Sequence, residues 1–546
     1  VSEPPTNAGQ GFNNFRRRAY AHASALAELD TDHLGIEPTQ DALDNTVVVD
    51  LCGVNLAKQM HVGHLRATVI GDAIARLFQR LGHPVVRQNH FGDWGLPIAM
   101  VTHEIMRKAA AGQLDPHALT LEDLEREYRA AQSKASQGRA EMASISRFDL
   151  GPKVEAEWES TARDAETFLT EAKATLRRLQ DGDPDVVSMW HRISDVTLGA
   201  CFACCQRLQA DVTEAHTAGE STYRDELGPL VDDLVDRNIA EESQGALVVR
   251  LEDRGIKEPV LVRKSDGGFL YATTDLAAIR RRVQKLGASL VVYAVDARQS
   301  LHFRQVFAAA TKAGYAQHET GRDATLAHAA FGTVLGEDGR PFKTRSGENV
   351  RLTDLLDEAV VRAERAVAEK NPELSLDERR DIAEAVGIGA VKYADLSNDR
   401  VKDYVFSFDR MLAFEGATGP YLQYALVRVR SIFRKAEEQL GIDDAVFTSA
   451  DAPAFSIDAP EEKTIALELL RYPEVVRSAA SSYEPHRLCA YLYDLATAFS
   501  SFFSACPVLR ADDDATRLAR LRLTRLTGRV LEDGLRTLGI TPLERM

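Results

Sequence analysis

The first apolar run of the chain is Thr46–Asp50, a continuous hydrophobic stretch between polar flanks. Such a run is typical of a buried parallel strand. A glycine-containing loop follows, residues 64–81 then repeat apolar positions at helical spacing, and residues 85–87 form another short apolar run. This order of strand, loop, helix and strand predicts a βαβ unit.

Between about residues 104 and 246 the pattern changes to long, charged amphipathic helices, for example at 120–137 and 154–178. Strand-like runs then return at 246–249, 259–262 and 289–295. The simplest interpretation is one nucleotide-binding sheet that a mostly helical insertion interrupts.

After residue 350 the apolar spacing is almost entirely helical, apart from a predicted loop at 442–460 that is rich in Asp, Ala and Pro. The predicted helices are 352–369, 376–396, 421–439, 461–480, 488–503 and 514–538. The pattern therefore predicts an α/β domain followed by an all-helical part.

Length and composition limit the class of protein. At 546 residues the chain predicts three or four domains, and its 45% hydrophobic and 27% charged residues are ordinary for a soluble globular protein. We find no run of about 18 uncharged apolar residues that predicts a membrane helix, and residues 1–18 lack the apolar segment of a secretory signal. Six scattered cysteines point to a reducing cytoplasm. The net charge of −16 argues only against indiscriminate nucleic-acid binding, because a local basic strip can still hold phosphates.

The sharpest motif is His61-Val62-Gly63-His64, between a predicted strand and a predicted helix. Two imidazoles at a helix N-terminus can bind phosphate oxygens together with the free amides, and Gly63 lets a base or ribose approach the backbone. A structural role or a metal site stays open for these residues alone, although no third ligand lies nearby at helical spacing.

A second candidate is the basic loop 342–347, Phe-Lys-Thr-Arg-Ser-Gly, which follows Gly336-Glu-Asp-Gly339. A flexible loop carrying lysine and arginine can close on a triphosphate and stabilise charge that develops at the α-phosphorus. A solvated basic turn is the alternative. No Walker loop occurs in the sequence, which argues against ordinary P-loop hydrolysis.

From about residue 45 to its last residue the chain resembles arginyl-tRNA synthetases, a class I aminoacyl-tRNA synthetase family. The resemblance rests on ordered motifs at 55–66 (NLAKQMHVGHLR), 89–95 (NHFGDWG), 264–277 (KSDGGFLYATTDLA), 296–303 (DARQSLHF), 331–339 (FGTVLGEDG), 342–359 (FKTRSGENVRLTDLLDEA), 386–397 (VGIGAVKYADLS) and 419–436 (GPYLQYALVRVRSIFRKA). It implies a Rossmann-type catalytic domain with a helical insertion, followed by an all-α anticodon-binding bundle. The domains it implies are a short N-terminal remnant (1–44), the first Rossmann half (45–105), the insertion (106–245), the second half with the basic loop (246–350), a helical connector (351–403) and the bundle (404–546).

The resemblance implies attack of the arginine carboxylate on the α-phosphate of ATP, then transfer of the arginyl group to tRNA(Arg). By similarity, His61, Gly63 and His64 hold ATP, while Lys343 and Ser346 of the basic loop act on the reacting phosphate, with Mg²⁺ as the ATP counter-ion. No covalent nucleophile is needed, because positioning and electrostatics carry such a reaction. The chain is expected to act as a cytoplasmic monomer with no membrane partner.

The resemblance also implies a pocket for L-arginine. A guanidinium needs an acidic partner and acceptors around it. By motif matching the pocket residues are Asn55, Tyr271, Asp275 and Gln299, with Asp50 contributing. Asp275 could instead cap the helix that follows it, and Tyr271 and Gln299 could be an ordinary buried aromatic and a surface amide.

In segment 421–436 basic residues lie among apolar and aromatic residues. The aliphatic positions suit a helix core and the basic ones could be a solvated face. Similarity to an anticodon-binding domain favours tRNA contact through Tyr421, Tyr424, Arg428 and Arg434, with aromatic rings stacking on unpaired bases.

The cysteines Cys201, Cys204 and Cys205 are interpreted as helix-packing residues rather than a metal site, because a second close pair is missing and His191 alone is a poor partner.

The chain departs from the family pattern in three places. Residues 1–44 are too few for the family's added tRNA-elbow domain, Gly53-Val54 replaces the usual Ser-Pro before Asn55, and Leu96-Pro97-Ile98 lacks an expected glutamine. Loss of the serine hydroxyl would cost about 0.5–1.5 kcal/mol if it bonded the amino acid, and Pro97 removes an amide donor. A paralogous ligase that passes arginine or an analogue to a non-tRNA acceptor is therefore the alternative function.

Overall fold

The structure is a computed structural model that describes residues 6–7, 13–14, 19–145, 147, 151–342, 350–449 and 451–546. Its strands are β1 (Thr6–Asn7), β2 (Asn13–Asn14), β3 (Thr46–Asp50), β4 (Val85–Gln88), β5 (Ala240–Ser243), β6 (Ala246–Val249), β7 (Val260–Arg263), β8 (Ala288–Tyr293), β9 (Thr325–His328), β10 (Val334–Leu335) and β11 (Tyr404–Val405). The helices of the first 312 residues are α1 (Ala19–Leu29), α2 (Gln40–Asp44), α3 (Val62–Arg80), α4 (Leu96–Ala110), α5 (Leu121–Ile145), α6 (Pro152–Gln180), α7 (Pro184–Arg207), α8 (Arg224–Asp236), α9 (Tyr271–Arg280) and α10 (Ser300–Lys312). Those that follow are α11 (Leu352–Lys370), α12 (Leu376–Leu396), α13 (Phe408–Met411), α14 (Gly419–Leu440), α15 (Ala445–Thr448), α16 (Pro460–Ser481), α17 (Pro485–Ala505) and α18 (Asp514–Thr537).

The central sheet has four parallel strands in the order β4-β3-β8-β9. Its middle strand β3 is apolar on both faces, and Val47, Val48 and Val49 are at most 1% exposed, as a strand covered on both sides requires. Helix α3 leads from β3 to β4 and packs on the face of Val47 and Val49, whereas α10 leads from β8 to β9 and packs on the opposite face, that of Val48. The strand order therefore reverses between β3 and β8, and the carboxyl ends of these two strands flank a crevice where ligands bind in such sheets.

The prediction of a single sheet is wrong for two of the returning strand-like runs. Residues 246–249 and 259–262 correspond to β6 and β7, which join β5 in a separate antiparallel sheet of order β5-β6-β7. Gln244 and Gly245 have φ values of +56° and +80°, which makes a two-residue hairpin turn and forces β6 back along β5. Only the run at 289–295, now β8, adds to the central sheet.

The predicted helical insertion is confirmed in the described residues. Helices α4, α5, α6 and α7 pack on one another, and α5 and α6 each extend beyond the predicted 120–137 and 154–178. Apolar side chains fill the space between α4, α5 and α6: Met100, Ala131, Ala135, Phe168 and Ala172.

All six helices predicted after residue 350 are confirmed within two or three residues at each end, and the predicted loop at 442–460 contains the short helix α15. Helix α12 joins the two halves of the molecule, because it packs against both α3 and α14. Its Asp395 forms a buried ion pair with Arg66 of α3 at 3.0 Å, and Arg66 also donates to the carbonyl of Gly332 at 2.8 Å. No helix of the described residues is long and apolar enough to cross a membrane.

Candidate functional site

The motif at 61–64 begins α3 and caps it with its own side chains. The Gly63 N–H donates to His61 Nδ1, and the His61 N–H donates to His64 Nδ1, each at 3.0 Å. Both Nδ1 atoms therefore accept, so that in the neutral rings Nε2 carries the hydrogen. A Cβ on residue 63 would lie 2.8 Å from the His61 ring, so glycine is needed for this cap as well as for ligand approach.

Both imidazoles are neutral near pH 7. Burial lowers the pKa of His64 to about 3, and burial together with the positive charges of Lys58 and Arg298 lowers the pKa of His61. The two rings lie 4.0 Å apart between centroids. The site therefore offers a pair of N–H donors at a helix N-terminus rather than a pair of cations.

The chain that follows the basic loop returns directly against this motif. The Val62 N–H donates to the Val350 carbonyl at 3.3 Å, and the Leu352 N–H donates to the Met60 carbonyl at 2.9 Å. The predicted residues Lys343 and Ser346 lie outside the described residues.

A cleft of about 440 Å³ opens at the carboxyl ends of β3 and β8. Eight residues predicted from the sequence line it: Asp50, Asn55, His61, Gly63, His64, Tyr271, Asp275 and Gln299. The structure therefore brings together residues from three separate sequence motifs and the end of β3 on one surface.

Asp275 lies inside the cleft on α9, and the helix-cap alternative for it is wrong. The helix begins at Tyr271 with Leu270 as its N-cap, which puts Asp275 a full turn into the helix. Its carboxylate accepts a hydrogen bond from His302 Nε2 at 2.6 Å, and this bond raises the pKa of His302. The side chain of Tyr271 is 65% exposed beside it, so the buried-aromatic alternative is also wrong.

Glu220 is a second acidic group of the cleft that the sequence did not indicate. Its side chain is 9% exposed, and burial and the nearby carboxylates of Asp93 and Asp275 raise its pKa to about 8. Asp93 holds the turn that carries Glu220, because it accepts from the Ser221 N–H at 2.9 Å and from the Ser221 hydroxyl at 2.5 Å. No sequence motif surrounds Glu220, so only the fold reveals its position.

Asp50 also lines the cleft, but its charge is already balanced. Its carboxylate lies 2.7 Å from the guanidinium of Arg282, which is 1% exposed. A buried pair of this kind leaves little net charge for a ligand. Asp296 also lines the cleft and is paired with Arg298 at 2.7 Å, so Asp275 and Glu220 are the remaining acidic lining groups that can meet a cation.

Two of the departures from the family pattern have a structural explanation. Gly53 has a φ of +63°, a conformation that suits glycine, and its N–H donates to Asn89 Oδ1 at 3.1 Å. Pro97 occupies the first turn of α4, where an amide has no partner within the helix. The amide donor that Pro97 lacks is therefore not one that a bond within the helix would have used.

The cysteines of α7 are buried, as helix-packing residues are, and two of them lie beside a further cysteine from another part of the chain. Cys52, in the loop after β3, lies with its Sγ 3.6 Å from that of Cys201 and 4.0 Å from that of Cys205. Hydrogen bonds from these two thiols lower the pKa of Cys52. A sequence separation of about 150 residues hides this third thiol from any local motif.

Comparison with known proteins agrees with this geometry. Residues 33–408 match the family model of the class I (R) tRNA synthetase catalytic domain, and residues 422–546 match that of the DALR anticodon-binding domain. The chain is 45% identical to the arginine–tRNA ligase of Azotobacter vinelandii and 44% to that of Alcanivorax borkumensis, in each case over 99% of this chain and 86% of the relative. The chain belongs to the arginyl-tRNA synthetase family.

Solved arginyl-tRNA synthetase structures have the same architecture. The enzyme from Plasmodium falciparum superposes with a TM-score of 0.77 at 25% identity, over 100% of this chain and 86% of that one. The enzyme from Thermus thermophilus gives 0.74 at 27% identity, over 100% and 89%. The fold class expected from the sequence is therefore confirmed.

The arginyl-tRNA synthetase bundle carries the predicted tRNA residues on α14. The guanidinium of Arg428 lies 5.3 Å from the Tyr424 ring centroid and 5.4 Å from that of Phe503, with a hydrogen bond to Ser500 at 3.2 Å. Tyr424 and Phe503 are each 38% exposed. These three side chains form a surface of aromatic rings and positive charge. Sequence analysis indicated Tyr424 and Arg428 but not Phe503.

The other two predicted tRNA residues lie elsewhere on α14. The Tyr421 ring packs against Tyr493 with 5.6 Å between centroids. Arg434 donates to the carbonyl of Glu544 at 3.1 Å, which holds the end of the chain against the helix. Arg434 therefore has a structural partner that the sequence did not indicate.

Proposed function

We propose that this chain activates arginine with ATP in the cleft between β3 and β8 and transfers it to tRNA(Arg). The observation that carries the proposal is the convergence, on one cleft, of two neutral imidazole donors and two carboxylates at the point where the strand order reverses. The imidazole donors suit a nucleoside triphosphate, and the carboxylates suit a cationic amino acid. Membership of the family supports the same reaction.

For ATP, we assign the donors to His61 and His64 and close approach to Gly63. Since the Nδ1 atoms are occupied by the cap, each ring can present Nε2–H to a phosphate oxygen. Lys343 and Ser346 belong to the loop whose far end is hydrogen-bonded to the same motif, which supports a role for them at the reacting phosphate.

For arginine, we assign Asp275 as the partner of the guanidinium, with Glu220 as a second carboxylate and Tyr271 beside them. Because burial keeps Glu220 largely protonated at pH 7, an arriving guanidinium would favour its ionised form and gain a second charged partner. Asn55 and Gln299 line the same cleft and offer amide groups. Asp50 contributes through its pair with Arg282, which fixes the edge of the cleft.

The chemistry conserves its bonds and charges as follows. A carboxylate oxygen of arginine bonds to the α-phosphorus of ATP, the bond from that phosphorus to the bridging oxygen breaks, and pyrophosphate leaves. A hydroxyl of the terminal ribose of tRNA then bonds to the arginyl carbonyl carbon, the bond from that carbon to the phosphate oxygen breaks, AMP leaves, and the hydroxyl proton passes to the leaving phosphate or to water. The residues of the cleft position the reactants and stabilise charge, so no covalent intermediate with the protein is needed.

Mg²⁺ enters as part of the substrate, the magnesium complex of ATP. Among the described residues no group of three carboxylates or imidazoles converges in the cleft, so the phosphates themselves supply the ion's main ligands.

For tRNA, we assign the surface formed by Tyr424, Arg428 and Phe503 to unpaired bases and backbone. Exposed aromatic rings stack on splayed bases, and the neighbouring guanidinium adds charge. Contacts of Tyr421 and Arg434 with tRNA stay a prediction.

The alternative of a non-tRNA acceptor is not favoured, because the chain matches the anticodon-binding family as well as the catalytic one. The expected monomer also stays a prediction, which sedimentation would check.

The test is ATP–pyrophosphate exchange across the twenty amino acids, with and without tRNA. We expect exchange with arginine and with no other amino acid. Replacing His64 or Lys343 by alanine should lower the exchange rate by about 10²–10³-fold, the magnitude for one preorganised charge-stabilising donor. His103→Ala is the matched control, because this histidine pairs with Glu171 on the insertion, away from the cleft. Near wild-type exchange in His64→Ala would show that the phosphates bind elsewhere.

A further inference from the structure

Three thiols meet at the wall of the cleft, and the proposed reaction uses none of them. The Sγ atoms of Cys52, Cys201 and Cys205 all lie within 4.8 Å of one another, and each residue is at most 2% exposed. Cys52 comes from the loop after β3, whereas Cys201 and Cys205 are one turn apart on α7. Residues four apart on a helix share a face, so both point at the same loop.

The spacing of the sulfurs is that of ligands around one ion. A metal–sulfur bond of about 2.3 Å in tetrahedral or trigonal coordination places its sulfurs about 3.8 to 4.0 Å apart. The measured Sγ–Sγ distances from Cys52 are 3.6 Å and 4.0 Å. A disulfide would instead need about 2.05 Å, and all three cysteines are free.

The surroundings select the kind of ion. Among the described residues no imidazole or carboxylate joins the three sulfurs within 4.8 Å, so the ligand set is sulfur only. Thiolates favour soft ions such as Cu⁺ and Zn²⁺ over Mg²⁺ or Ca²⁺. The buried ammonium of Lys392 supplies positive charge nearby, where it donates to the carbonyl of Leu208 at the end of α7 at 2.7 Å.

We propose that Cys52, Cys201 and Cys205 form a three-thiolate binding site for a soft, thiophilic metal ion. Binding is a ligand exchange without oxidation: each thiol loses one proton to solvent, and three sulfur–metal bonds replace bonds from the ion to water. A trigonal ion such as Cu⁺ is satisfied by the three sulfurs, whereas Zn²⁺ takes one further ligand, such as a water molecule.

The site connects the ion to the cleft. Cys52 lines the cleft itself, and its neighbour Gly53 donates to Asn89 Oδ1 at 3.1 Å. Cys52 has a φ of +70°, so its backbone conformation is held by its surroundings. An ion that ties Cys52 to α7 would fix this loop, and an effect on arginine binding follows if the proposed function holds. Metal binding itself does not depend on that function.

The experiment is a titration of the reduced, full-length protein with Cd²⁺, followed by sulfur-to-metal charge-transfer absorption and by native mass spectrometry. We expect one ion per chain, and separate titrations with Cu⁺ and with Zn²⁺ in place of Cd²⁺ tell which of the two the site prefers. Cys52→Ala and Cys201→Ala should each weaken binding by about 100-fold or more, since even loss of a supporting group costs 10–100-fold.

Cys204→Ala is the matched control, because this thiol is 5% exposed on the same helix but is not among the three. It should keep the absorption band and the affinity of the wild type. Circular dichroism identifies any variant that fails to fold. If Cys52→Ala fails to fold, Cys201→Ala is the test, since it leaves the sequence of the loop after β3 unchanged. The proposal is overturned by a folded wild type that binds no ion, by equal loss in Cys204→Ala, or by a Cys52–Cys201 disulfide in place of metal.

Discussion

The charge and tautomer of His61 and His64 are set by contacts at the start of α3. Burial lowers the pKa of His64 to about 3, and the Nδ1 atom of each ring accepts a backbone N–H bond, which leaves the hydrogen of each neutral ring on Nε2. The sequence predicted the positions of these rings but not their protonation. Sequence analysis did not identify Glu220 and Phe503, because their neighbours in space come from distant parts of the chain.

The glycine of this motif gives the first prediction. Gly63→Ala should lower adenylation by about 10²–10³-fold, because its Cβ would push the His61 ring out of the cap and misplace a phosphate donor. Steady-state ATP–pyrophosphate exchange measures the loss. Gly199→Ala on α7 is the control, since a Cβ there meets nothing within 4 Å and activity should be unchanged. Full activity in Gly63→Ala would mean that the cap does not position the histidines.

The acidic pair gives a pH prediction. Arginine should bind more tightly as pH rises from 6 towards 9, because Glu220, with a pKa of about 8, gains its charge and His302, with a raised pKa, loses its own. Below these pKa values a protonated His302 competes with the guanidinium for Asp275. Arginine dissociation constants by calorimetry should therefore fall with pH in the wild type.

Three variants separate these contributions. Glu220→Gln should flatten the part of the profile near pH 8, and His302→Gln should remove the contribution of an imidazole whose pKa is raised above its usual range by the bond to Asp275. Asp275→Asn should weaken arginine far more than ATP, because the guanidinium loses its counter-charge. An unaltered profile in both glutamine variants, or equal losses of arginine and ATP in Asp275→Asn, would contradict the assignment.

Among the elements, helix α12 shows how burial changes a charged side chain. Burial lowers the pKa of Lys392 to about 8 from its usual 10.5, while its ammonium donates to the carbonyls of Leu208 and Gly539. Between those two pH values the unfolded chain binds a proton that the folded chain does not. The free energy of unfolding should therefore rise with pH across this window, by on the order of 2–3 kcal/mol from this group.

Urea unfolding from pH 7 to 9.5 measures this contribution by the difference between wild type and Lys392→Met. The variant should show a smaller rise with pH, whatever its stability at pH 7. Lys312→Met, which removes a partly exposed lysine on α10, should keep the wild-type slope. Equal slopes in wild type and Lys392→Met would mean that the buried ammonium keeps an ordinary pKa.

Helix α14 carries the prediction for tRNA. Tyr424→Ala and Phe503→Ala should each weaken tRNA binding by about 1–3 kcal/mol, the contribution of one stacked base. Filter binding at fixed salt measures this. Leu467→Ala, a 43% exposed apolar residue on α16, should leave binding unchanged, and an equal loss there would show that no specific stacking surface exists.

The elements also show where sequence patterns fail. The long helices after residue 350 were predicted closely, because their 3.6-residue spacing repeats many times, whereas α5 continues to Ile145, beyond its predicted end at residue 137. The strands at 246–249 and 259–262 were found but assigned to the wrong sheet, since a short apolar run does not reveal its partner. The two-residue Gln244-Gly245 turn was the local feature that could have identified the hairpin.

The molecule as a whole couples the cleft to the bundle through α3 and α12. The helix that starts at His61 carries Arg66, whose buried pair with Asp395 joins it to α12, and Arg80 of α3 pairs with Asp533 of α18 at 2.7 Å. The helix that begins with His61 and His64 therefore packs directly against the bundle. This arrangement suits an enzyme that must bring tRNA and ATP to one site.

The measurement that tests this account most directly is the formation of arginyl-tRNA by the purified chain with ATP and Mg²⁺. We expect labelled arginine, and no other amino acid, to become acid-precipitable in an ATP-dependent way, with a rate that falls steeply as salt rises because phosphate contacts contribute to binding. If arginine-dependent adenylate forms but no tRNA pool is charged, or if another amino acid is charged instead, the account is wrong.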